Sequence, residues 1–351
     1  MQYSWQEKWV AITPKPFAIL SMIGSICIIK HIITSPKHLV RTSTFHRILL
    51  GLSILDLTTS FVVFLGTWPI PKDTPNVYLA SGSDQTCTAQ GFWVQLGVGV
   101  PLYNASLSVY YFLVIFKGWK EYQVKKVEPF LHILPIMFAL TTSIIVAATG
   151  NYASSNVWCW ISMDSDGMRF GFFYGPIWAA VLLVTFLMAS IYCKFLMQER
   201  KTKKYTDSEE RIRHRQSELS GLEEGNSNKL RLQSSKLQSI RTSQTLGNDR
   251  RVSTLGTNTQ STIGQTVGTR NSTISAVRSS HSSKIAAQAL WYVGSFYLTF
   301  LFPSWTRISQ MMGTQPPFAV VACFTIFFPM QESLRLYCFV LCYHVFNMKT
   351  R

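Results

Sequence analysis

The sequence predicts an all-α membrane protein: a seven-transmembrane helix bundle with the N-terminus outside, the C-terminus inside and a long disordered third cytoplasmic loop. Hydrophobic residues make up 47% of the 351 residues and charged residues only 14%, a composition unusual for a soluble protein. The apolar residues also cluster in runs that can cross a hydrocarbon core, which takes about 20 residues. We count seven such runs, at approximately 12–34, 46–68, 89–116, 129–149, 170–197, 285–311 and 317–341.

The distribution of lysine and arginine over the loops predicts the orientation of this bundle. These cations resist translocation and accumulate on the cytoplasmic side. One set of loops carries most of them, around 30–47, around 117–126, in the central polar stretch and at the C-terminus, whereas the other carries only Lys8, Lys15, Lys72 and Arg169. We therefore expect a multi-pass plasma-membrane protein with its N-terminus outside. Topology and anionic lipid explain the net charge of +16, so nucleic acid is not an expected partner.

The runs divide the chain into four segments. Spans one to five, with a short extracellular N-terminus, are predicted at 1–197, and spans six and seven at 284–342, followed by a short cytoplasmic tail at 343–351. The third cytoplasmic loop, at 198–283, is rich in Ser, Thr, Lys and Arg and has almost no aromatic residues, so it cannot bury enough apolar surface to fold alone. Only the mixed charges of KKYTDSEERIRHRQSEL predict a helical extension of the fifth span.

This loop contains a candidate phosphorylation site. The sequence RRVSTL places Ser253 two residues after paired arginines, a pattern that basophilic kinases prefer. Phosphorylation by a protein kinase would make the basic loop neutral or acidic and so switch partner binding. The alternative is an unmodified, solvated linker.

Two of the cysteines are predicted to face the oxidising side of the membrane. Cys87 precedes the third span, and Cys159 lies in the loop between the fourth and fifth spans. Topology leaves two interpretations open: a disulfide that ties the third span to that loop, or two free thiols. Trp158 and Trp160 flank Cys159, and we expect their rings at the interfacial level of the bilayer.

Ionisable side chains inside the spans are functional candidates, because each costs about 2.5–3.5 kcal/mol at the bilayer centre on insertion scales. Arg307 lies four residues after Pro303, near the outer end of the sixth span. A helix kinked at Pro303 would turn this guanidinium towards an outward-facing cavity, where it suits a phosphate or carboxylate. The alternative is that Arg307 snorkels to the outer headgroups.

The other intramembrane charges are predicted to act as a polar switch. Glu332 and Arg335 are three residues apart on the seventh span and share a face, which favours a structural ion pair or conformational latch over a ligand site. Asp56, halfway along the second span, either joins them, with Asn104 of the third span as a polar neighbour, or is protonated or ion-bound.

Enzymatic function is not expected. The histidines form no cluster with metal-ligand spacing, and the sequence contains neither a nucleophile elbow nor a glycine loop that could cradle a phosphate. We therefore predict no catalytic residue, no metal and no cofactor. The outer acids Asp164 and Asp166 are interpreted as solvated loop residues.

Several segments resemble one known family. WCWI at 158–161 and RFGFFYGP at 169–176, with a cysteine before the third span, look like the cyclic-AMP receptor-like family of G protein-coupled receptors. SWTRI of the sixth span and FFPMQESLRLYCFV of the seventh are similar to the patterns of that family. The chain departs from it at Glu332 and Arg335, where the family usually has a small residue and an asparagine.

The resemblance implies a receptor that binds an extracellular small molecule, cyclic AMP or another small anion, and opens an inner crevice to a heterotrimeric G protein. It implies that Cys87 and Cys159 form the disulfide. The ligand-binding candidates are Arg307, Arg169, Trp158, Trp160, Gln95 and Tyr103.

The alternative function is a membrane transporter or channel for a small solute. It predicts internal duplication and charged residues along a path, whereas the spans show no obvious repeat and a single charge in the outer half. A retinal photoreceptor is excluded because 317–341 contains no lysine to form a Schiff base.

Overall fold

The computed structural model describes residues 3–34, 43–241, 294, 296–310 and 312–330, with side chains of the long fifth helix described as far as 219. Within these residues, five helical stretches are long and apolar enough to cross a membrane: Trp5–Thr34, Thr44–Leu65, Asp84–Phe116, Glu128–Ala148 and Asp166–Leu219. They coincide with the first five predicted spans. The sixth and seventh runs are described only in part, so the count of seven stays a prediction.

The helices are numbered in chain order. They are α1 Trp5–Ile12, α2 Pro14–Thr34, α3 Thr44–Leu65, α4 Asp84–Leu96, α5 Gly99–Tyr111, α6 Glu121–Val124, α7 Glu128–Ala148, α8 Asp166–Arg169, α9 Gly175–Arg241, α10 at 296–310 and α11 Phe318–Phe327. Strands β1 Tyr152–Ser154 and β2 Cys159–Ile161 lie between α7 and α8. Two π-helical turns, Phe112–Phe116 and Phe170–Tyr174, follow α5 and precede α9.

Alpha-carbon contacts separate two compact units, Met1–Tyr192 with Ser282–Arg351, and Cys193–His281. In the first unit, α3 packs against α2, α4, α5 and α7. Its core includes the fully buried Ile28, Leu49 and Leu52. Large apolar side chains such as Phe130 and Leu182 instead point outwards and are exposed. Outward-facing apolar surface of this extent indicates contact with a membrane.

Two of the irregular points in the helices lie four residues before a proline. A proline has no N–H to donate and its ring clashes with the carbonyl four residues earlier. Four residues before Pro101 is Gly97, where α4 ends. Four residues before Pro176 is Phe172, in the middle of the π-helical turn Phe170–Tyr174. The break within the third span and the π-helical turn at the start of the fifth span therefore each lie where a proline removes a regular helical hydrogen bond.

The carboxyl end of α3 is held by a cation. Gly66 follows α3 with φ of 57°, a left-handed conformation that glycine adopts without strain. The Lys15 ammonium donates hydrogen bonds to the carbonyls of Phe64 (3.1 Å) and Leu65 (2.9 Å) and lies 3.6 Å from the centre of a Trp68 ring. Lys15 thus satisfies terminal carbonyls of α3.

The loop between the fourth and fifth spans forms a β-hairpin, which the all-α prediction did not include. Tyr152 pairs with Ile161 and Ser154 with Cys159 in antiparallel register. The turn places Asn156 at φ of 70°, which asparagine tolerates better than most residues. We refer to residues 152–161 as the hairpin.

In the second unit, helix α9 continues as far as Arg241. The sequence predicted a largely disordered loop from 198, with a helical extension only over 203–219. The helix is favoured by its content of Glu, Lys, Arg, Gln and Leu and by i,i+4 pairs of Glu209 with Arg213 and His214 with Glu218. Ser253 lies outside the described residues.

Candidate functional site

A cavity of about 320 Å³ lies beneath the hairpin in the first unit. Small-molecule sites typically occupy about 300–1,000 Å³ and are mostly apolar with a few polar groups. The walls follow that pattern. Aromatic residues in the lining include Trp158, Trp160, Phe173, Tyr174, Phe324 and Phe328, and polar ones include Asp56, Ser60, Asn156, Arg169, Thr306 and Gln310.

A disulfide between Cys87 and Cys159 fixes the hairpin to the start of α4, with 5.2 Å between the two Cα atoms. Both cysteines are buried. Of the two interpretations left open by topology, the disulfide is therefore confirmed. It places the hairpin as a lid over one end of the helices.

The tryptophans beside Cys159 point inwards. Trp158 packs against Phe324 and Phe328 of the seventh-span region, with ring centres 5.7 Å apart in each case. Trp160 lies 4.8 Å from Phe173. Both tryptophans are buried. The disulfide and the β-pairing turn both rings onto the cavity, and their level relative to the bilayer interface stays a prediction.

Arg169 connects the hairpin to the start of the fifth span. Its guanidinium donates to the carbonyl of Ile161 from Nε (3.0 Å) and Nη2 (2.5 Å) and to the hydroxyl of Ser155 (3.2 Å). Its Cζ lies 5.0 Å from the centre of the Trp160 ring. Arg169 is buried and lines the cavity. It therefore both holds the lid and contributes positive charge beneath it.

Arg307 is buried close to the same cavity but is not part of its lining. Nη2 forms an ion pair with Asp166 at 2.5 Å, and Nη1 lies 3.5 Å from Oε1 of Gln310. Its Cζ lies 5.6 Å from the centre of the Tyr174 ring. Gln310 and Tyr174 both line the cavity. The guanidinium thus points into the bundle, contrary to the snorkelling alternative.

Gln95 and Tyr103, proposed as ligand contacts, lie outside the cavity lining. Gln95 accepts the indole N–H of Trp160 at 3.0 Å and donates to Thr142 and to the carbonyl of Phe172. Tyr103 packs on Gly51 and its hydroxyl lies 3.0 Å from Nδ1 of His132. Both side chains have buried polar partners, so Gln95 acts on the cavity only through Trp160.

Only two members of the predicted polar switch, Asp56 and Asn104, lie within the described residues, so the switch stays a prediction. Asp56 is buried and lines the cavity. Asn104 is buried elsewhere, donating to the carbonyl of Val100 in its own helix at 3.1 Å. Glu332 and Arg335 lie outside the described residues. The part of the chain that the structure describes contains no cluster of three or more side chains that could hold a metal ion.

Sequence reasoning missed two polar clusters. One is formed by Gln90, which donates to the carbonyl of Gly66 and accepts the N–H of Cys159. The other joins α3 to α7, where Arg47 pairs with Glu128. Glu128 is one of two acids close to the lysines at 117–126. An acid in this basic segment was the sequence signal that could have indicated an ion pair with a nearby cation. No local pattern indicated Gln90.

The fold resembles that of a protein of known structure. A crystal structure of squid rhodopsin matches with a TM-score of 0.56 and 11% sequence identity, covering 99% of this chain and 85% of that one. At this identity the likeness shows the fold alone. This likeness and the five apolar helices together define a multi-pass membrane protein with a rhodopsin-like helical fold.

Sequence comparison matches part of the chain to a known family. Residues 87–216 match the family model described as slime mold cyclic AMP receptor. The chain is also similar to cyclic AMP receptor 1 of Dictyostelium discoideum, with 31% identity over 81 residues, which is 22% of this chain and 20% of that protein. The matched segment thus spans one fifth of that relative. These matches confirm the resemblance to the cyclic-AMP receptor-like family, and the family-model match lies within the stretch from α4 to α9.

Proposed function

We propose that the protein is a G protein-coupled receptor that binds an extracellular small anion in the cavity beneath the hairpin. The observation that carries this proposal is the placement of two buried guanidinium groups, Arg169 in the cavity wall and Arg307 behind Tyr174 and Gln310. Charge-assisted hydrogen bonds to a phosphate or carboxylate are strongest in such water-poor surroundings. Seven spans, an external N-terminus and a plasma-membrane location belong to the same proposal.

The walls suit a ligand with a flat ring beside its anionic group. Trp158, Phe324 and Phe328 offer faces and edges for stacking, and each aromatic contact contributes about 0.5–1.5 kcal/mol beyond its buried area. Cyclic AMP combines a purine with a phosphate, and the named relative is a cyclic AMP receptor. We therefore propose cyclic AMP, or a small anion of similar shape, as the ligand.

The proposed partners on the cytoplasmic side are a heterotrimeric G protein and a protein kinase. The kinase would act on the third inner loop, with Ser253 as the candidate acceptor because it follows paired arginines. The added charge would weaken or redirect a partner that binds the basic loop. Alanine at Ser253 should then prolong G protein activation after a pulse of agonist.

The first experiment is binding of labelled cyclic AMP to membranes that contain the full chain. We expect saturable binding that Arg307→Gln weakens at least about tenfold, the equivalent of one charge-assisted hydrogen bond. Lys72→Gln is the matched control, because Lys72 is an exposed cation in the loop before Cys87. Equal affinity in both variants, with normal surface expression, would remove Arg307 from the site.

A second measurement separates a receptor from a transporter. Membranes with added G protein should show agonist-dependent exchange of guanine nucleotide. Accumulation of labelled solute inside sealed vesicles, without nucleotide exchange, would overturn the receptor proposal.

A further inference from the structure

The ion pair between Arg307 and Asp166 is asymmetric in burial. The Arg307 side chain is 7% exposed, whereas the Asp166 side chain is 71% exposed. Removing the anionic partner of a buried guanidinium is destabilising, so loss of Asp166 favours a replacement anion at Arg307. An exposed carboxylate stays hydrated whether paired or not, so Asp166 can leave the pair with little penalty. The exchangeable member of this pair is therefore the acid.

The Arg307 guanidinium is only partly satisfied by protein groups. Nη2 donates to Asp166, the contact of Nη1 with Gln310 is 3.5 Å long, and Nε has no hydrogen-bond partner among the described residues although it is buried. A guanidinium presents a planar fork that suits two oxygens of one anion. A single oxygen of Asp166 leaves much of that fork unused.

We propose that Asp166 is an internal competitor that occupies Arg307 until the anionic group of a ligand displaces it. This inference rests on the proposed function, because it assumes that the ligand anion approaches Arg307. The approach runs past Tyr174 and Gln310, which line the cavity and contact Arg307. A phosphate or carboxylate with two free oxygens fits the fork better than Asp166 does. Competition from Asp166 thereby makes binding at Arg307 selective for anions that present two oxygens.

Displacement of Asp166 from Arg307 would also affect the position of the hairpin. Asp166 is the first residue of α8, and Arg169 at the end of the same short helix holds the hairpin through Ile161 and Ser155. Release of Asp166 detaches α8 from Arg307 on α10. Anion binding at Arg307 and movement of the hairpin are thus coupled through the four residues of α8.

The test uses inorganic phosphate as the probe and the purified full chain in lipid nanodiscs. Thermal unfolding is followed against phosphate concentration at constant ionic strength, because sulfate-like salts stabilise all proteins to some degree. We expect Asp166→Asn to lower the half-maximal phosphate concentration about tenfold, a typical coupling between two competing contacts. Asp164→Asn removes the same charge from an exposed neighbour without touching Arg307 and should match the wild type.

The Arg307→Gln background completes the test. In the Arg307→Gln protein, the phosphate dependence of thermal unfolding should no longer differ between variants. Adding Asp166→Asn should not change that dependence further. The inference is overturned by any of three results: equal effects of the two Asp→Asn changes, an Asp166→Asn effect that persists with Arg307→Gln, or no phosphate-dependent shift in any variant. None of these measurements uses cyclic AMP or a G protein. Failure of the competition at Arg307 can therefore be distinguished from failure of cyclic AMP binding or of nucleotide exchange, which bear on the proposed function.

Discussion

The side-chain oxygen of Gln90 accepts the backbone N–H of Cys159 at 2.8 Å. The amide nitrogen of Gln90 donates to the carbonyl of Gly66, also at 2.8 Å. Because Gln90 follows Cys87 by three residues on α4, both side chains lie on one face of that helix. The disulfide to Cys87 and the hydrogen bond to Gln90 therefore hold Cys159 from neighbouring positions on α4.

Gln90→Ala should destabilise the protein by about 1–3 kcal/mol, because it leaves buried backbone groups of Cys159 and Gly66 without partners. Thermal unfolding in detergent measures the change, and the disulfide should still form. Gln85→Ala removes an exposed glutamine from the same helix and should have little effect. Equal stability of the two variants would show that water replaces the clamp.

Cys87→Ser and Cys159→Ser should each destabilise the protein by about 2–5 kcal/mol, and the double variant should be no worse than either single one. The reason is that each change removes the same bond. Surface expression and unfolding give the measurement, with Cys27→Ser, an exposed free cysteine, as control. Additive losses would contradict a shared disulfide.

Gly91→Ala should destabilise the junction between α4 and the hairpin. An added Cβ would lie 2.5 Å from Cδ1 of Tyr152. The hydroxyl of Tyr152 donates to the carbonyl of Ser143, and burial raises the pKa of Tyr152, so this ring has a fixed and enclosed position. Overpacking costs about 1–3 kcal/mol, which exceeds the gain of about 1 kcal/mol in helix propensity.

Gly171→Ala is the matched control for this prediction, because a Cβ there meets nothing within 4 Å. Thermal unfolding of both variants should show a loss only for Gly91→Ala. A gain in stability for Gly91→Ala would mean that the Tyr152 ring moves aside easily.

Sequence alone was sufficient for features that depend on local composition. Runs of apolar residues predicted the first five helices, since the length of a span is set by the thickness of the bilayer. Topology placed Cys87 and Cys159 in the same oxidising compartment with free thiols as the alternative, and the family resemblance implied the disulfide. Both arguments need only the position of a residue along the chain.

Features that depend on distant partners were not predictable. The contacts of Gln90 with Cys159 and of Gln95 with Trp160 join residues separated by 69 and 65 positions. Hydropathy does not indicate which buried amide meets which backbone group. The inward turn of Trp158 has the same cause, because interfacial preference describes a free side chain and not one held by a disulfide.

The pair of Arg47 and Glu128 provides the last prediction. Arg47 contacts both carboxylate oxygens of Glu128, with Nη2 at 2.7 Å from Oε2, and Thr44 donates to the same oxygen at 3.1 Å. The pair joins the amino end of α3 to that of α7 and is largely shielded from solvent. Arg47→Gln and Glu128→Gln should each destabilise the protein by about 1–3 kcal/mol, because each leaves one shielded charge without its partner.

The double variant should lose less than the sum of the two single losses, since removing both charges leaves no unpaired ion. Arg213→Gln is the control: its pair with Glu209 is exposed, so stability should change by less than about 0.5 kcal/mol. If the two losses simply added, Arg47 and Glu128 would stabilise their helices independently. The non-additive result would instead show that α3 and α7 are joined by this ion pair.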